Sequence, residues 1–256
     1  MLRDTDLISG NLPSRQPWSV NVDWPGEENK VTGEHADKFR LSATTLLVRD
    51  RPGGFETLMI QRPQAASFGG AWVWPGGAVD AADAPVGSFA DEAEELSARA
   101  AGRRELHEET GLDTDADRLV PLAIWTPPAQ TKPKFRSWFF VADEHSGELN
   151  PQPEEVAAVE WVTPREMLEA HTAGELELVV PTWVTLHQLA EHRSAAEVVE
   201  HAAAGPVDHY ATRFRKAEQF FCWFGDAAFE DELGNGQGRH RLETAALPWR
   251  YLRDAG

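Results

Sequence analysis

The sequence predicts a layered α/β (α+β) domain over residues 39–172. Three observations carry that prediction. Short apolar runs alternate with helix-forming stretches between Leu41 and Ala170. Proline and glycine clusters punctuate them, at Pro52-Gly53-Gly54 and at Pro75-Gly76-Gly77. The flanks differ in character: residues 1–38 are polar and proline-bearing, and residues 173–256 read as a helical extension packed on the same domain.

Residues 1–38 carry Pro13, Pro17 and Pro25 together with Trp18 and Trp24. They read as an extended arm that the two tryptophans pin to the body. Leu41 to Arg49 and Phe55 to Gln61 read as two strands joined by the turn at Asp50-Arg51-Pro52-Gly53-Gly54. Ala71 to Trp74 is a third strand, stopped by Pro75-Gly76-Gly77, and residues 78–88 read as loop. Phe89 to Glu109 holds helix formers throughout except at Gly102, which fits one long helix or two abutting ones. Strands follow at Leu119 to Trp125, Phe135 to Ala142 and Val156 to Val162. Pro164 to Ala170 opens a helix with Thr163 as N-cap. Thr182 to His192 and Ala195 to Ala204 read as further helices. The tail from Ala211 to Phe224 is basic first and aromatic later, and its run Phe220 to Phe224 reads as core or as a homodimer contact.

Composition narrows the function. The formal charge of −18 excludes a general nucleic-acid-binding surface, which needs clustered Lys and Arg. It also fails to steer a small anionic substrate, so phosphate chemistry here would need a cation to supply local positive charge. The single Cys222 permits no internal disulfide, which suits a reducing cytoplasm. No apolar run approaches the ~20 residues of a membrane span. Asp4, Asp6, Ser9 and Gly10 stand where a signal peptide needs an apolar block.

The residues that carry chemistry lie in Arg104-Glu105-Leu106-His107-Glu108-Glu109-Thr110-Gly111-Leu112. Glu105, Glu108 and Glu109 obey the i, i+3, i+4 spacing that places side chains on one helix face. Like charges so placed repel in a bare helix. A hard divalent cation, Mg2+ or Mn2+, reverses the sign because it prefers oxygen ligands. Gly111 suits a left-handed helix stop that would hold the last carboxylates in place. The competing reading is a solvated acidic face with Arg104 paired to Glu108.

This segment resembles the Nudix box, G-x5-E-x7-R-E-U-x-E-E-x-G-U with U an aliphatic residue. Its second half matches in full from Arg104 to Leu112, and Gly77 matches the first glycine. Asp83 stands where glutamate is expected. Residues 84–103 separate it from Arg104, where the common box has seven positions. The resemblance implies an α/β/α sandwich around a mixed sheet and a metal-dependent hydrolase of a small-molecule nucleotide diphosphate. Carried over residue by residue, Glu108 and Glu109 are the principal metal ligands. Glu105 is a further ligand or the group that deprotonates the attacking water. The Gly77 carbonyl completes the site, Arg104 orients a glutamate, and Asp83 anchors the box.

Further segments, Phe68 to Asp80, Trp125-Thr126-Pro127, Phe135 to Ala142 and Trp161 to Pro164, resemble one subgroup, the peroxisomal-type coenzyme A diphosphatases. That subgroup also carries an expanded box. The implied substrate is coenzyme A or an acyl-CoA. The alternatives are ADP-ribose, NADH or another dinucleotide, or a catalytically silent Nudix-fold nucleotide-binding module. Lys132, Lys134 and Arg136 form a compact basic cluster that could grip phosphates, with Trp125 stacking on a base. Solubilising charge beside a strand is the equal alternative. Glu155, in the loop before Trp161, is a candidate extra ligand or base, and a solvated loop residue on the other reading.

Overall fold

The computed structural model describes residues 39–66, 68–84, 90–132, 134–229 and 238–254. The expected N-terminal arm, 1–38, lies outside the described residues. In chain order the structure forms β1 (Arg40–Arg51), β2 (Gly54–Gln61), β3 (Ala71–Val73) and β4 (Gly76–Ala78). The long helix α1 (Ala90–Thr110) follows, then β5 (Leu112–Asp113), β6 (Val120–Thr126), β7 (Phe135–Ala142), β8 (Ser146–Gly147) and β9 (Ala158–Val162). Next come α2 (Pro164–Ala173), β10 (Glu177–Leu178), α3 (Val180–Leu189) and α4 (Ala195–Ala204). The chain then runs through β11 (Asp208–Ala211), β12 (Arg213–Arg215), β13 (Phe220–Cys222), β14 (His240–Glu243) and β15 (Arg250–Arg253).

The organising strand is β1. Its first half runs parallel to β7, and on the other side Ser42, Ala43 and Thr44 pair antiparallel with Ala78, Gly77 and Gly76 of β4. Its second half turns through the glycine hairpin into β2, which also pairs with β3 and β9. The result is a mixed sheet in the order β10-β3-β2-β1-β7-β6-β11, with β4 on β1 and β9 on β2. Both faces are covered, so the middle of β1 and the end of β7 are buried at consecutive positions. Ala43, Leu47 and Phe140 point to the α1 side, where Ala98, Ala101 and Leu106 meet them. Leu46, Val48, Phe139 and Val141 point to the other side, against Val184 and Leu186 of α3 and Val198 of α4. This is the two-residue side-chain period of a strand read on both faces.

Where the sequence left one helix or two, α1 is continuous through Gly102. A Cβ at Gly102 would lie 2.8 Å from Thr45 Oγ1, which itself donates to the Gly102 carbonyl at 3.0 Å. The glycine thus lets the helix backbone settle onto β1. Gly111 ends the helix in the left-handed region at φ 77°, its N–H donating to the His107 carbonyl. Among the described residues no helix is long and apolar enough to cross a membrane.

The helical extension expected over 173–256 is corrected in its second half. Among the described residues, helices continue only to Ala204. Thereafter β11 adds to the main sheet in parallel with β6, and β12-β13-β14-β15 form a separate antiparallel sheet. The reason is alternation. Phe214, Phe221, Leu242 and Tyr251 fall opposite one another across the four strands. Phe221, Leu242 and Tyr251 join the large core beneath. Phe220 and Cys222 are buried on the opposite face. Phe220, Cys222 and Trp223 of the aromatic run are therefore core, as one of its two readings had it, while Phe224 at its end is exposed.

Candidate active site

The site forms where the last turns of α1 pass β4. The backbone of Gly77 lies so close to Glu105 that a Cβ there would meet Glu105 Oε1 at 2.3 Å. At Gly76 a Cβ would meet the Ala43 carbonyl oxygen, so the glycine pair is fixed by sheet on one side and carboxylate on the other. The Gly76 N–H donates to Glu109 Oε2 at 2.8 Å. Glu109 is only 6% exposed. Burial pushes its carboxyl up to about 7; the Gly76 N–H and the charge of Arg62 oppose that rise, and Glu105 and Glu155 reinforce it.

Burial also raises the carboxyl of Glu105, against the pull of Arg104, with Glu108 and Glu155 adding to the rise. Glu108 sits half-exposed one turn along. Arg104 holds the corner together. Its Nη1 donates to Glu105 at 2.9 Å and to Glu108 at 3.0 Å, and its Nη2 donates to the Ala78 carbonyl at 3.0 Å. Its Nε and Nη2 reach the two carboxylate oxygens of Asp83 at 3.2 and 3.0 Å. Burial works against the Asp83 charge, but Arg104 and the Asp80 N–H hold its carboxyl below the usual range. Asp83 thus grips Arg104 across the long insertion. Residues 90–103 of that insertion form the first turns of α1.

Glu105, Glu108, Glu109, Arg104, Gly77 and Asp83 are therefore brought together. Glu155 lies in their electrostatic field, because its charge acts on both Glu105 and Glu109. The basic cluster is elsewhere. Arg136 pairs with Glu94 near the far end of α1, which also accepts from Trp138 Nε1, and Lys134 lies over the Phe39 ring. Trp125 is corrected outright. It is 4% exposed and stacked on Tyr210 at 3.9 Å, with Trp223 edge-on, so it cannot stack on a ligand. Two contributors were missed: the Gly76 N–H, and Arg62 at the end of β2, whose charge acts on Glu109. A cation placed at a strand end, in Gln61-Arg62-Pro63, was the available signal.

The donor set suits a hard divalent cation. It offers three carboxylates and a closely approaching peptide, and one carboxylate is buried where a nearby positive charge would favour its ionised form. Among the described residues no three His, Cys, Asp or Glu groups already stand at ligand geometry. In the structure Arg104 binds Glu105 and Glu108 instead.

The NUDIX domain family model matches residues 38–180. No curated protein matches the chain. Among solved structures, a NUDIX hydrolase from Alicyclobacillus acidocaldarius is 22% identical with a TM-score of 0.57, over 67% of this chain and 100% of that one. A MutT NUDIX hydrolase from Burkholderia pseudomallei is 22% identical with a TM-score of 0.41, over 59% and 98%. The NUDIX domain of Shewanella oneidensis NrtR, solved with ADP ribose, is 18% identical with a TM-score of 0.42, over 60% and 88%. Members of the family generally need divalent metal ions. With its box carboxylates assembled beside Gly76 and Gly77, the chain belongs to the Nudix family and is a hydrolase acting on phosphoric anhydrides.

Proposed function

We propose that the chain cleaves the diphosphate linkage of coenzyme A or an acyl-CoA, with Mg2+ or Mn2+ held by Glu105, Glu108, Glu109 and the Gly77 carbonyl. The observation that carries the metal assignment is the burial of Glu109 behind the Gly76 N–H. The substrate assignment rests on the subgroup segments and on the expanded box. Asp83 still reaches Arg104 because the inserted residues 90–103 extend the helix and leave the corner intact.

The bound cation would neutralise charge on the phosphate oxygens and lower the pKa of the attacking water. The protein's own residues do the rest. Arg104, held by Asp83 and the Ala78 carbonyl, fixes the rotamers of Glu105 and Glu108. Glu105, its carboxyl raised by burial, accepts the proton of the attacking water. The Gly76 N–H fixes the buried oxygen of Glu109.

The test is a metal-supplemented panel of CoA, acyl-CoAs, ADP-ribose, NADH and dinucleoside polyphosphates, with products identified by mass. Release of 4′-phosphopantetheine and 3′,5′-ADP from CoA is the expected outcome. Cleavage confined to ADP-ribose or NADH would move the substrate within the family. Silence on every compound would favour a binding module, although such a module has no need of three intact carboxylates.

A further inference from the structure

The loop joining β2 to β3 carries a bulky residue in a conformation that costs energy. Phe68 has φ 56°, in the left-handed region that only glycine enters freely. Among the described residues only one other non-glycine, Gln219, has positive φ. Phe68 is also 66% exposed, so the strained backbone yields no burial in return. Phe39, Leu96, Leu149, Phe224 and Leu247 are exposed too, yet none of them has positive φ. Scattered exposed apolar residues need no explanation. An exposed ring on strained backbone does, and such strain gathers at ligand sites.

The loop is firmly tied. Ala66 N–H donates to the Pro63 carbonyl, Gly70 N–H to Arg62, Ala71 N–H to Phe68, and Arg62 N–H to Ala71. The Gln61 side chain donates to the Gly70 carbonyl. A Cβ at Gly69 would meet the Gln64 carbonyl oxygen at 2.2 Å, so the backbone there is closely packed. The loop closes on Arg62, whose charge reaches Glu109. The segment bearing Glu155 joins the same strand end through the Ala157 N–H to the Gln61 carbonyl. Among the described residues the Phe68 ring has no aromatic or cationic partner, and it is 66% exposed.

We propose that Phe68 is a stacking platform for the heterocyclic base of the nucleotide-derived substrate, at the mouth of the carboxylate site. This rests on the reading of that site as a nucleotide diphosphatase. A single ring is too small for a protein-docking patch, whereas one ring suffices to stack one base.

The Phe68→Asn variant tests it, since asparagine tolerates the left-handed region. Expected is an unchanged or higher Tm together with a KM for the substrate raised about tenfold, and a kcat within about twofold. Phe68→Trp restores KM. Binding of adenosine 5′-monophosphate to wild type and variant, measured by calorimetry, separates this role from turnover. Equal affinity in the two overturns the stacking platform whether or not any diphosphate is cut, and so does a wild type that fails to bind. A lowered Tm with unchanged KM makes Phe68 a structural residue. Failure of the whole substrate panel with AMP binding still lost in Phe68→Asn rejects the hydrolase reading and keeps the platform.

Discussion

Burial of Glu109 behind Gly76 costs the folded chain free energy that a surface glutamate would not. Its carboxyl sits at about 7 against an ordinary 4.5, so the unfolded chain sheds this proton first. Stability from this group is therefore present below pH 4.5 and lost as pH rises from 4.5 to 7. Glu109→Gln keeps an oxygen for the Gly76 N–H and removes the charge. In chelator at pH 8 the variant should be as stable as wild type or more so by thermal melt. With Mg2+ its turnover should fall at least about a hundredfold, and near-normal turnover would refute the assigned site. Asp83→Ala removes the anchor of Arg104 and should cost about 1–3 kcal/mol and lower kcat about tenfold. If both Tm and kcat stayed put, Asp83 would be no anchor.

At the level of elements, α1 and β1 are one unit joined at Gly102. Alanine there should gain about 1 kcal/mol of helix propensity, but its Cβ would meet Thr45 Oγ1 at 2.8 Å, an atom already tied to the same carbonyl. The close approach wins, for a net loss of about 1–2 kcal/mol in denaturant unfolding, relieved in the Gly102→Ala, Thr45→Ala double variant. Equal stability of the single variant would show that the contact is slack. What the sequence made legible follows the same division by element. The carboxylates of α1 were readable because i, i+3, i+4 spacing is local to the chain. The sheet was readable where strands carry unbroken apolar runs bounded by turn residues, as in β1 and β7. The strands β12 to β15 run only three or four residues and mix arginine with aromatics, too short for a period to stand out. Trp125 was misplaced because its partners, Tyr210 and Trp223, arrive from far along the chain. Arg62 escaped notice for the same reason, since Glu109 lies a whole helix away in sequence.

Over the whole molecule, one apolar core runs from Leu46 of the main sheet through Trp183 to Leu242 of the second sheet, with Trp249 and Tyr251 packed against it. His171 of α2 is sealed into this region, 5% exposed and edge-on to Trp249 at 4.5 Å. Burial alone lowers its pKa from 6.5 to about 4. The unfolded chain then binds the proton first as pH falls. Stability from the neutral ring is full above pH 6.5 and lost between 6.5 and 4, by at most about 3 kcal/mol. Glu109 slopes the opposite way from 4.5 to 7, so the two contributions offset each other within the wild-type profile. Substitution separates them. The Nδ1 of His171 has no hydrogen-bond partner among the described residues, so an apolar replacement sacrifices no bond at that atom. His171→Leu should remove the acid-side loss that His171 causes, so that apo stability relative to wild type rises as pH falls from 6.5 to 4. A variant profile parallel to wild type across that range, measured by urea unfolding in chelator, would show that His171 is not buried as a neutral ring.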